Sequence, residues 1–234
     1  MIEIEGMGTD ESAWRGWPVL GALPPLPNPE TPVVVVAPHP DDEVLGVGGL
    51  LRLARGVRLL AVTDGEASHP NTTVYTPPEL AAVRRRETAA ALATLGVAAR
   101  VDRIGMPDGD IDEDALVPLI ARVLRPGARC LATWRGDGHP DHEAVGRAAA
   151  RACARTGARL LEYPVWTWHW STPGDPRVPW STALRVDLPP EVAAAKRAAV
   201  AEFASQVNPL GPDPAILPPP VLRRLTRDFE VVFG

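Results

Sequence analysis

Short apolar runs alternate with longer amphipathic segments over most of the chain. Short β-branched runs are typical of buried strands, whereas apolar positions recurring every three or four residues are typical of helices. The predicted strands are 31–39, 57–66, 99–110, 128–135, 158–168, 181–189 and 229–233. The predicted helices are 42–56, 76–97, 112–127, 142–157 and 190–207.

This alternation of strand and helix predicts βαβ units and a mostly parallel sheet. The continuous run VVVV at 33–36 supports the prediction, because parallel strands are buried on both faces. Right-handed crossovers then place helices on both sides of the sheet. The predicted fold class is therefore α/β, a three-layer α/β/α sandwich with a mostly parallel, Rossmann-like sheet.

Prolines cluster in two segments, 17–32 and 208–220. Proline fixes φ and has no N–H donor, so both segments are predicted to be extended rather than helical. We interpret residues 1–30 as an N-terminal proline-rich arm and residues 31–234 as one α/β domain. The second proline-rich segment is predicted to be a loop near the C-terminus.

Composition excludes several classes of partner. The chain has 24 Lys and Arg against 29 Asp and Glu, a net charge of −5 that argues against nucleic-acid binding through phosphate contacts. It shows neither a secretory signal nor an apolar run near the ~20 residues that a membrane helix needs. Cys130 and Cys153 have no CxxC partner, so we predict a cytoplasmic protein with two buried thiols.

Polar residues follow the predicted strands at their carboxyl ends, where open α/β sheets bind their ligands. These stretches are 39–43, 63–66, 108 and 135–142. Solvated turns would not require every strand to end in the same chemistry. The convergence therefore indicates a functional site at this edge of the predicted sheet.

Two motifs at strand-to-helix junctions, HPDDE at 39–43 and GHPDHE at 138–143, supply histidines and carboxylates suited to zinc or another divalent ion. His39 and Asp42 are three residues apart, and His142 can approach from the neighbouring loop. Three protein ligands leave a position for water, as in catalytic zinc sites. One His-Pro-Asp could be an ordinary turn with an aspartate cap. The second copy favours a metal site.

The stretches APHPDDEVLGVGG (37–49) and GHPDHEAVGRA (138–148) resemble the LmbE-like, PIG-L-like family of zinc-dependent N-acetyl-sugar (N-acetylglucosaminyl) deacetylases. The blocks LAVTDGE, RRRETAAALATLGV and GMPDGD resemble further family segments in the same order. The resemblance covers roughly residues 33–165. It implies that His39, Asp42 and His142 bind Zn²⁺, with another divalent ion possible, and that Asp41 is the general base.

The same resemblance implies roles around the substrate. His139 would polarise the scissile carbonyl, and we expect it to act as an imidazolium. Asp141 would orient a histidine, and Arg84 and Asp108 would contact sugar hydroxyls. Phe203 stands where the family often has a histidine, so the last long helix departs from the family pattern at this position.

The leading functional hypothesis is a zinc-dependent hydrolase that removes the N-acetyl group from an N-acetylglucosamine-type sugar conjugate. The alternatives are hydrolysis of another small N-acylated amine or natural-product glycoside, and a non-catalytic metal or sugar binder. A Rossmann nucleotide-binding protein is opposed by the absence of the GxGxxG fingerprint. The Trp-rich segment 162–170 fits a sugar-stacking wall, a core strand edge or the contact of a homo-oligomer.

Overall fold

The computed structural model describes residues 6–234, and the strands within this range form one seven-stranded sheet. The strands are β1 Val33–Ala37, β2 Val57–Ala61, β3 Ala99–Arg103, β4 Arg129–Thr133, β5 Arg159–Tyr163, β6 Ala183–Asp187 and β7 Phe229–Phe233. Their order in the sheet is β3-β2-β1-β4-β5-β7-β6. Strands β1 to β5 pair in parallel, while β7 pairs antiparallel with both β5 and β6.

Helices cover both faces of this sheet. They are α1 Glu11–Arg15, α2 Pro18–Ala22, α3 Asp42–Leu53, α4 Pro77–Leu95, α5 Glu113–Ala121, α6 Pro140–Thr156, α7 Thr167–Trp170, α8 Pro190–Ala201, α9 Ala204–Val207 and α10 Pro219–Leu225. Helices α3, α4 and α8 pack together, and α5 packs against α6. These packings confirm the predicted three-layer sandwich with a mostly parallel sheet.

Strand β1 shows why the sequence has a continuous apolar run. Val33, Val35 and Ala37 pack into the core beneath α3, α4 and α8, whereas Val36 belongs to the core beneath α5 and α6. Successive side chains point to opposite faces of a strand, so a strand covered on both sides needs apolar residues at every position.

The order of the strands positions the site. Strand β1 lies between β2 and β4, so the chain builds the sheet first towards β3 and then, from β4 onward, in the opposite direction. The connections after β1 and β4 therefore lead to helices on opposite faces of the sheet and leave a crevice between them, the topological switch point where such sheets bind ligands.

Several sequence predictions of local structure are wrong; the predicted strand 99–110, for example, ends at Arg103. Residues 17–32 were predicted to be extended, yet α2 begins at Pro18, whose missing N–H is not needed in the first turn of a helix. The predicted strand 158–168 ends at Tyr163, since residues beyond it donate their backbone N–H groups to a distant carboxylate. The predicted helix 190–207 breaks at Phe203, whose ring is buried in the core.

The segment before β1 packs onto the rest of the protein. Trp14 is fully buried, and its indole N–H donates to the backbone oxygen of Trp168 at 3.0 Å. Glu11 accepts hydrogen bonds from the guanidinium of buried Arg227. Residues 1–5 of the predicted arm lie outside the described residues, and the division at residue 30 stays a prediction.

Between residues 6 and 234 no helix combines the length and apolar character needed to cross a membrane.

Candidate metal centre and substrate cavity

The two His-Pro-Asp motifs meet at the carboxyl edge of the sheet. Strands β1 and β4 are parallel neighbours, so the loops that follow them emerge side by side. The ring centroids of His39 and His142 lie 5.4 Å apart, and those of His139 and His142 lie 4.7 Å apart. The fold thus joins residues about a hundred positions apart in the sequence.

Within residues 6–234, two overlapping groups of side chains could hold a metal ion. Ligand atoms of His39, Asp42 and His142, the predicted set, all lie within 4.8 Å of one another. A second group consists of His39, His139 and Asp141. The first group is deeper, because Asp42 and His142 are buried whereas His139 is partly exposed.

The electrostatics of the deeper group suit a cation. Asp42 places one carboxylate oxygen 3.1 Å from His39 Nδ1 and the other 3.3 Å from His142 Nε2. Burial opposes ionisation of Asp42, but the two histidines hold its pKa well below the usual range. Conversely, burial opposes the charge on His142, but Asp42 and Asp137 raise its pKa to about 9. Two nitrogens and a carboxylate form a donor set that zinc accepts, and a divalent ion would supply the positive charge that this site favours.

Asp137 is a site residue that the sequence prediction missed. Its Oδ2 lies 2.7 Å from His142 Nδ1, and the side chain is fully buried. It also accepts hydrogen bonds from the backbone N–H groups of Val165, Trp166 and Thr167. A carboxylate that holds the second ring nitrogen of a metal-binding histidine is a recurrent arrangement. The signal in the sequence was an aspartate five residues before His142.

Asp41 lies beside the group without belonging to it. Its φ of 138° is in a region that non-glycine residues rarely adopt, and such strain is common at functional sites. Its Oδ2 accepts a hydrogen bond from Arg84 Nη2 at 3.1 Å. Burial raises the pKa of Asp41 to about 7, although the Arg84 guanidinium opposes this rise.

Of three consecutive arginines, the structure places Arg84 in the site. Its side chain is buried and donates to the backbone oxygens of Pro40 and Gly65, in addition to Asp41. Arg85 instead forms an exposed ion pair with Asp64. Arg84 therefore fixes the carboxylate beside the metal-binding group, whether or not it also contacts a substrate.

His139 forms the N-cap of α6, and its surroundings oppose the expected imidazolium. The backbone N–H of Asp141 donates to His139 Nδ1 at 3.2 Å, so in the neutral ring the proton is on Nε2. Burial, together with the charges of His142 and His39, lowers the pKa of His139 to about 4. These surroundings favour a neutral ring, with Nε2–H available as a donor, over the expected imidazolium.

Asp141 and Asp108 both approach His39. Asp141 Oδ2 lies 3.0 Å from His39 Nε2, and Asp108 Oδ1 lies 3.2 Å from the same nitrogen. Asp141 also accepts the backbone N–H of Gly109. The Asp141 carboxylate, predicted to orient a histidine, thus contacts His39. The hydrogen bond between Asp141 and His139 involves only the backbone N–H of Asp141.

These residues line a cavity of about 320 Å³, near the lower end of the usual range for ligand pockets. Its polar wall contains His39, Asp41, Asp42, Arg84, Asp108, His139 and His142. An apolar wall contains Leu45, Val165, Trp166, Ile216 and Leu217, and the polar residues Ser68 and Gln206 also line the cavity. Of these residues, only Val165 and Trp166 lie in a segment predicted as a possible substrate wall. Ile216 and Leu217 come from the proline-rich segment near the C-terminus.

The Trp-rich segment divides between two of the roles considered for it. Trp166 lines the cavity. Trp168 packs against Trp14 with ring centroids 5.0 Å apart, and Trp180, beyond the segment, packs against the same ring at 5.8 Å. Most of the segment therefore belongs to the core.

The fold and this site define a class: three-layer α/β proteins with a potential His–Asp–His metal centre at the switch point of the sheet. The profile of the PIG-L family, described as GlcNAc-PI de-N-acetylase, matches residues 34–153. The chain belongs to this family.

Solved structures share the fold. The conserved protein TT1542 from Thermus thermophilus is 30% identical with a TM-score of 0.55, and the match covers 77% of this chain and 81% of that one. N,N'-diacetylchitobiose deacetylase from Pyrococcus horikoshii is 24% identical with a TM-score of 0.60, covering 86% and 81%. The zinc-inhibited form of teicoplanin deacetylase Orf2 is 23% identical with a TM-score of 0.52, covering 76% and 85%. Among proteins of curated function, none matches significantly by sequence.

Proposed function

We propose that this protein is a metal-dependent hydrolase that removes the N-acetyl group from an N-acetylglucosamine-type sugar conjugate. One observation carries the proposal: a buried His39–Asp42–His142 group lies in a cavity beside a separate carboxylate, Asp41. Membership of a family described as GlcNAc-PI de-N-acetylase supports the choice of substrate.

We propose His39, Asp42 and His142 as the ligands of Zn²⁺ or another divalent ion. When bound, such an ion would lower the pKa of water to about 7 and polarise the scissile carbonyl. Asp137 and Asp141 would hold the two histidines in place through their other ring nitrogens. Because one structural relative is described as a zinc-inhibited form, zinc should be compared with cobalt, nickel and manganese.

Asp41 is the proposed general base. A carboxylate that does not ligate the ion keeps its basicity, and a pKa near 7 suits transfer of a proton in both directions at neutral pH. Asp41 takes a proton from the attacking water as its oxygen bonds to the acetyl carbon. It returns that proton to the sugar nitrogen as the C–N bond breaks, yielding a free amine and acetic acid, which ionises to acetate at neutral pH.

His139 is the proposed donor to the carbonyl oxygen. Its Nδ1 accepts the backbone N–H of Asp141, which directs the Nε2–H side of the ring away from its own helix. A hydrogen bond to the oxygen on which negative charge develops stabilises the transition state more than the ground state.

The proposed substrate is a small-molecule sugar conjugate. Arg84 and Asp108 line the cavity and could contact the sugar, although both already have partners within the protein. The apolar wall formed by Trp166, Ile216 and Leu217 suits an aglycone with an apolar part. Cytoplasmic location and a homo-oligomeric state stay predictions.

The deciding experiment is an acetate-release assay on a panel of N-acetylglucosamine conjugates. The protein is stripped with a chelator and reloaded with one ion at a time, and its metal content is measured by elemental analysis. We expect about one ion per chain and release of acetate only after reloading. Binding of metal without turnover of any conjugate would favour the non-catalytic alternative.

A further inference from the structure

Gln206 occupies an unusual position on the cavity wall. It lies in the short helix α9, is 1% exposed, and lines the cavity with Ser68. Its backbone oxygen accepts the N–H of Leu217, which ties α9 to the proline-rich segment that forms the apolar wall. None of the proposed chemical steps uses its side chain.

A chain of hydrogen bonds determines how the Gln206 amide is oriented. Glu87 in α4 accepts the backbone N–H of Ser205 at 2.7 Å on one oxygen and the Ser205 hydroxyl at 2.7 Å on the other. Because the Ser205 hydroxyl has given its only hydrogen to Glu87, it must act as an acceptor towards Gln206. The Gln206 group that faces Ser205 at 2.9 Å is therefore the NH₂ group.

The carbonyl oxygen of Gln206 remains available. Gln206 Nε2 also approaches Ser68 Oγ at 3.4 Å, so both contacts of the side chain use its nitrogen. No group in residues 6–234 donates a hydrogen bond to Oε1. Because this oxygen is not one of the fully buried atoms without a partner, part of its surface is accessible. Since Gln206 lines the cavity, Oε1 is an oriented acceptor that a ligand can reach.

The position of Glu87 relates this acceptor to the proposed reaction. Glu87 lies one turn after Arg84 in α4, and one turn of an α-helix advances by about 5.4 Å. Arg84 holds Asp41, while Glu87 holds Ser205 and thereby Gln206. The same helix thus fixes both the proposed base and the acceptor, through two residues one turn apart.

We infer that Gln206 determines specificity by accepting a hydrogen bond from one hydroxyl group of the substrate, with Ser205 and Glu87 as positioning residues. The inference rests on the proposed function, since it assumes that the cavity holds a hydroxylated N-acetyl compound. An acceptor already desolvated by the protein loses more when the partner hydroxyl is missing than an exposed acceptor would.

The test combines substrate and protein changes. Acetate release is measured from N-acetylglucosamine and its 3-, 4- and 6-deoxy analogues, with the metal-loaded wild type and the Gln206→Leu variant. We expect one deoxy analogue to lose roughly 10- to 100-fold in kcat/KM with the wild type. With Gln206→Leu, kcat/KM for the parent sugar should fall by a similar factor, whereas kcat/KM for that analogue should equal its value with the wild type.

Matched variants separate substrate contact from structural support. Ser68→Ala removes the weaker contact of the Gln206 amide but keeps the acceptor, so the preference among the four sugars should persist. Ser205→Ala should weaken the preference because the amide can then rotate, and Ser205→Thr should restore it. Gln206→Met, of similar length, replaces Gln206→Leu if the latter fails to fold.

Equal losses on all four sugars in the Gln206 variants would overturn the inference and leave Gln206 a structural residue. If the wild type releases no acetate, calorimetric binding of the same four sugars replaces turnover. Weaker binding of one deoxy analogue, abolished in Gln206→Leu, would support the contact although the proposed activity had failed. Equal binding of all four sugars, or binding of none, would overturn it.

Discussion

At the scale of single residues, Asp41 and Asp42 show how surroundings separate two identical side chains. Asp42 lies between His39 and His142, which hold its pKa well below the usual range despite burial. Asp41 faces Arg84, and burial raises its pKa to about 7. One carboxylate thereby suits a permanent ligand, and its neighbour suits a group that gains and loses a proton.

Replacing Asp41 by Asn should lower kcat by ~10² or more while metal content and fold remain unchanged. Glu43→Gln is the matched control. Burial raises the pKa of Glu43 to about 8, so its carboxyl is largely neutral at pH 7 and glutamine imitates it. Steady-state kinetics and elemental analysis make the comparison. Turnover near that of the wild type in Asp41→Asn would remove Asp41 from the mechanism.

Replacing His139 or His142, the two histidines of the second motif, should have different effects on metal binding and on catalysis. His142→Ala should lose the metal ion. His139→Ala should keep the metal ion and lose roughly 2–4 kcal/mol of transition-state stabilisation. Because the lowered pKa of His139 keeps its ring neutral above about pH 4, the alkaline limb of the pH–rate profile should not move in His139→Ala. Loss of metal only in His139→Ala would instead favour the group of His39, His139 and Asp141.

Asp137→Asn should weaken metal binding by about 10- to 100-fold, because His142 loses the carboxylate on its second nitrogen. Thr167→Val is the control, since it removes another hydrogen bond to Asp137 without touching His142. Competition with a fluorescent chelator gives both affinities. Similar metal affinities in the two variants would mean that the Asp137 carboxylate only holds the backbone N–H groups of 165–167 and does not support metal binding by His142.

At the scale of elements, helix α3 is bent to fit around a buried ion pair. Val47 has non-helical φ and ψ of −138° and 19°, and the carboxylate of Glu230 accepts the N–H groups of Gly49 and Leu50. Lys196 from α8 donates to the same carboxylate at 2.7 Å. The Glu230 side chain of β7 thus binds the backbone of α3, the helix that begins within the metal-binding motif.

Lys196→Met should destabilise the protein by ~3–5 kcal/mol, since Glu230 would remain a buried charge without its cation. Arg100→Met breaks an exposed pair with Asp102 and should cost less than ~1 kcal/mol. Urea unfolding of both variants gives the two values. A small change in Lys196→Met would show that the two backbone donors of α3 satisfy Glu230 by themselves.

The glycines of α3 serve close packing. A Cβ atom on Gly46 would lie 2.2 Å from the ring of Tyr163 in β5, and one on Gly49 would lie 2.4 Å from Leu188. The stretch GVGG, which superficially suggests a dinucleotide loop, is therefore part of a helix pressed against the sheet.

At the scale of the whole molecule, the segment before β1 completes the core. Trp14 packs edge-on against Trp168, two residues after Trp166 of the cavity wall. We propose residues 31–234 as the deacetylase-like domain and residues 1–30 as an arm, of which the described part, 6–30, packs against the domain. The arm would then act on the site through the support it gives to 166–168.

Trp14→Ala should cost ~3–5 kcal/mol of stability, the usual scale for truncating a buried aromatic side chain. Val19→Ala, at a residue 41% exposed in the same arm, should stay within ~0.5 kcal/mol. Thermal and urea unfolding provide the comparison. Equal stability of both variants would show that the arm contributes little to folding.

Much of this architecture could be predicted because it depends on local patterns. The run at 33–36, the capping box of Thr76 and Glu79, and Gly96 at the end of α4 are each visible within a few residues of sequence. The errors after β5 and after α8 arose where distant groups override such patterns. The Asp137 carboxylate accepts backbone N–H groups after β5, and the Glu87 carboxylate accepts the N–H of Ser205 at the break after α8.

The sequence by itself determined the fold class, the family and the residues that carry the proposed chemistry, because strand periodicity and the two His-Pro-Asp motifs are local features. Tertiary structure decided the rest. It gave Arg84, already named from the sequence, a buried contact with Asp41, added Asp137 to His142, assigned Asp141 to His39 and brought Gln206 and Leu217 to the cavity. These choices depend on which loops converge at the switch point and which side chains are desolvated there, and neither is encoded within a short stretch of sequence.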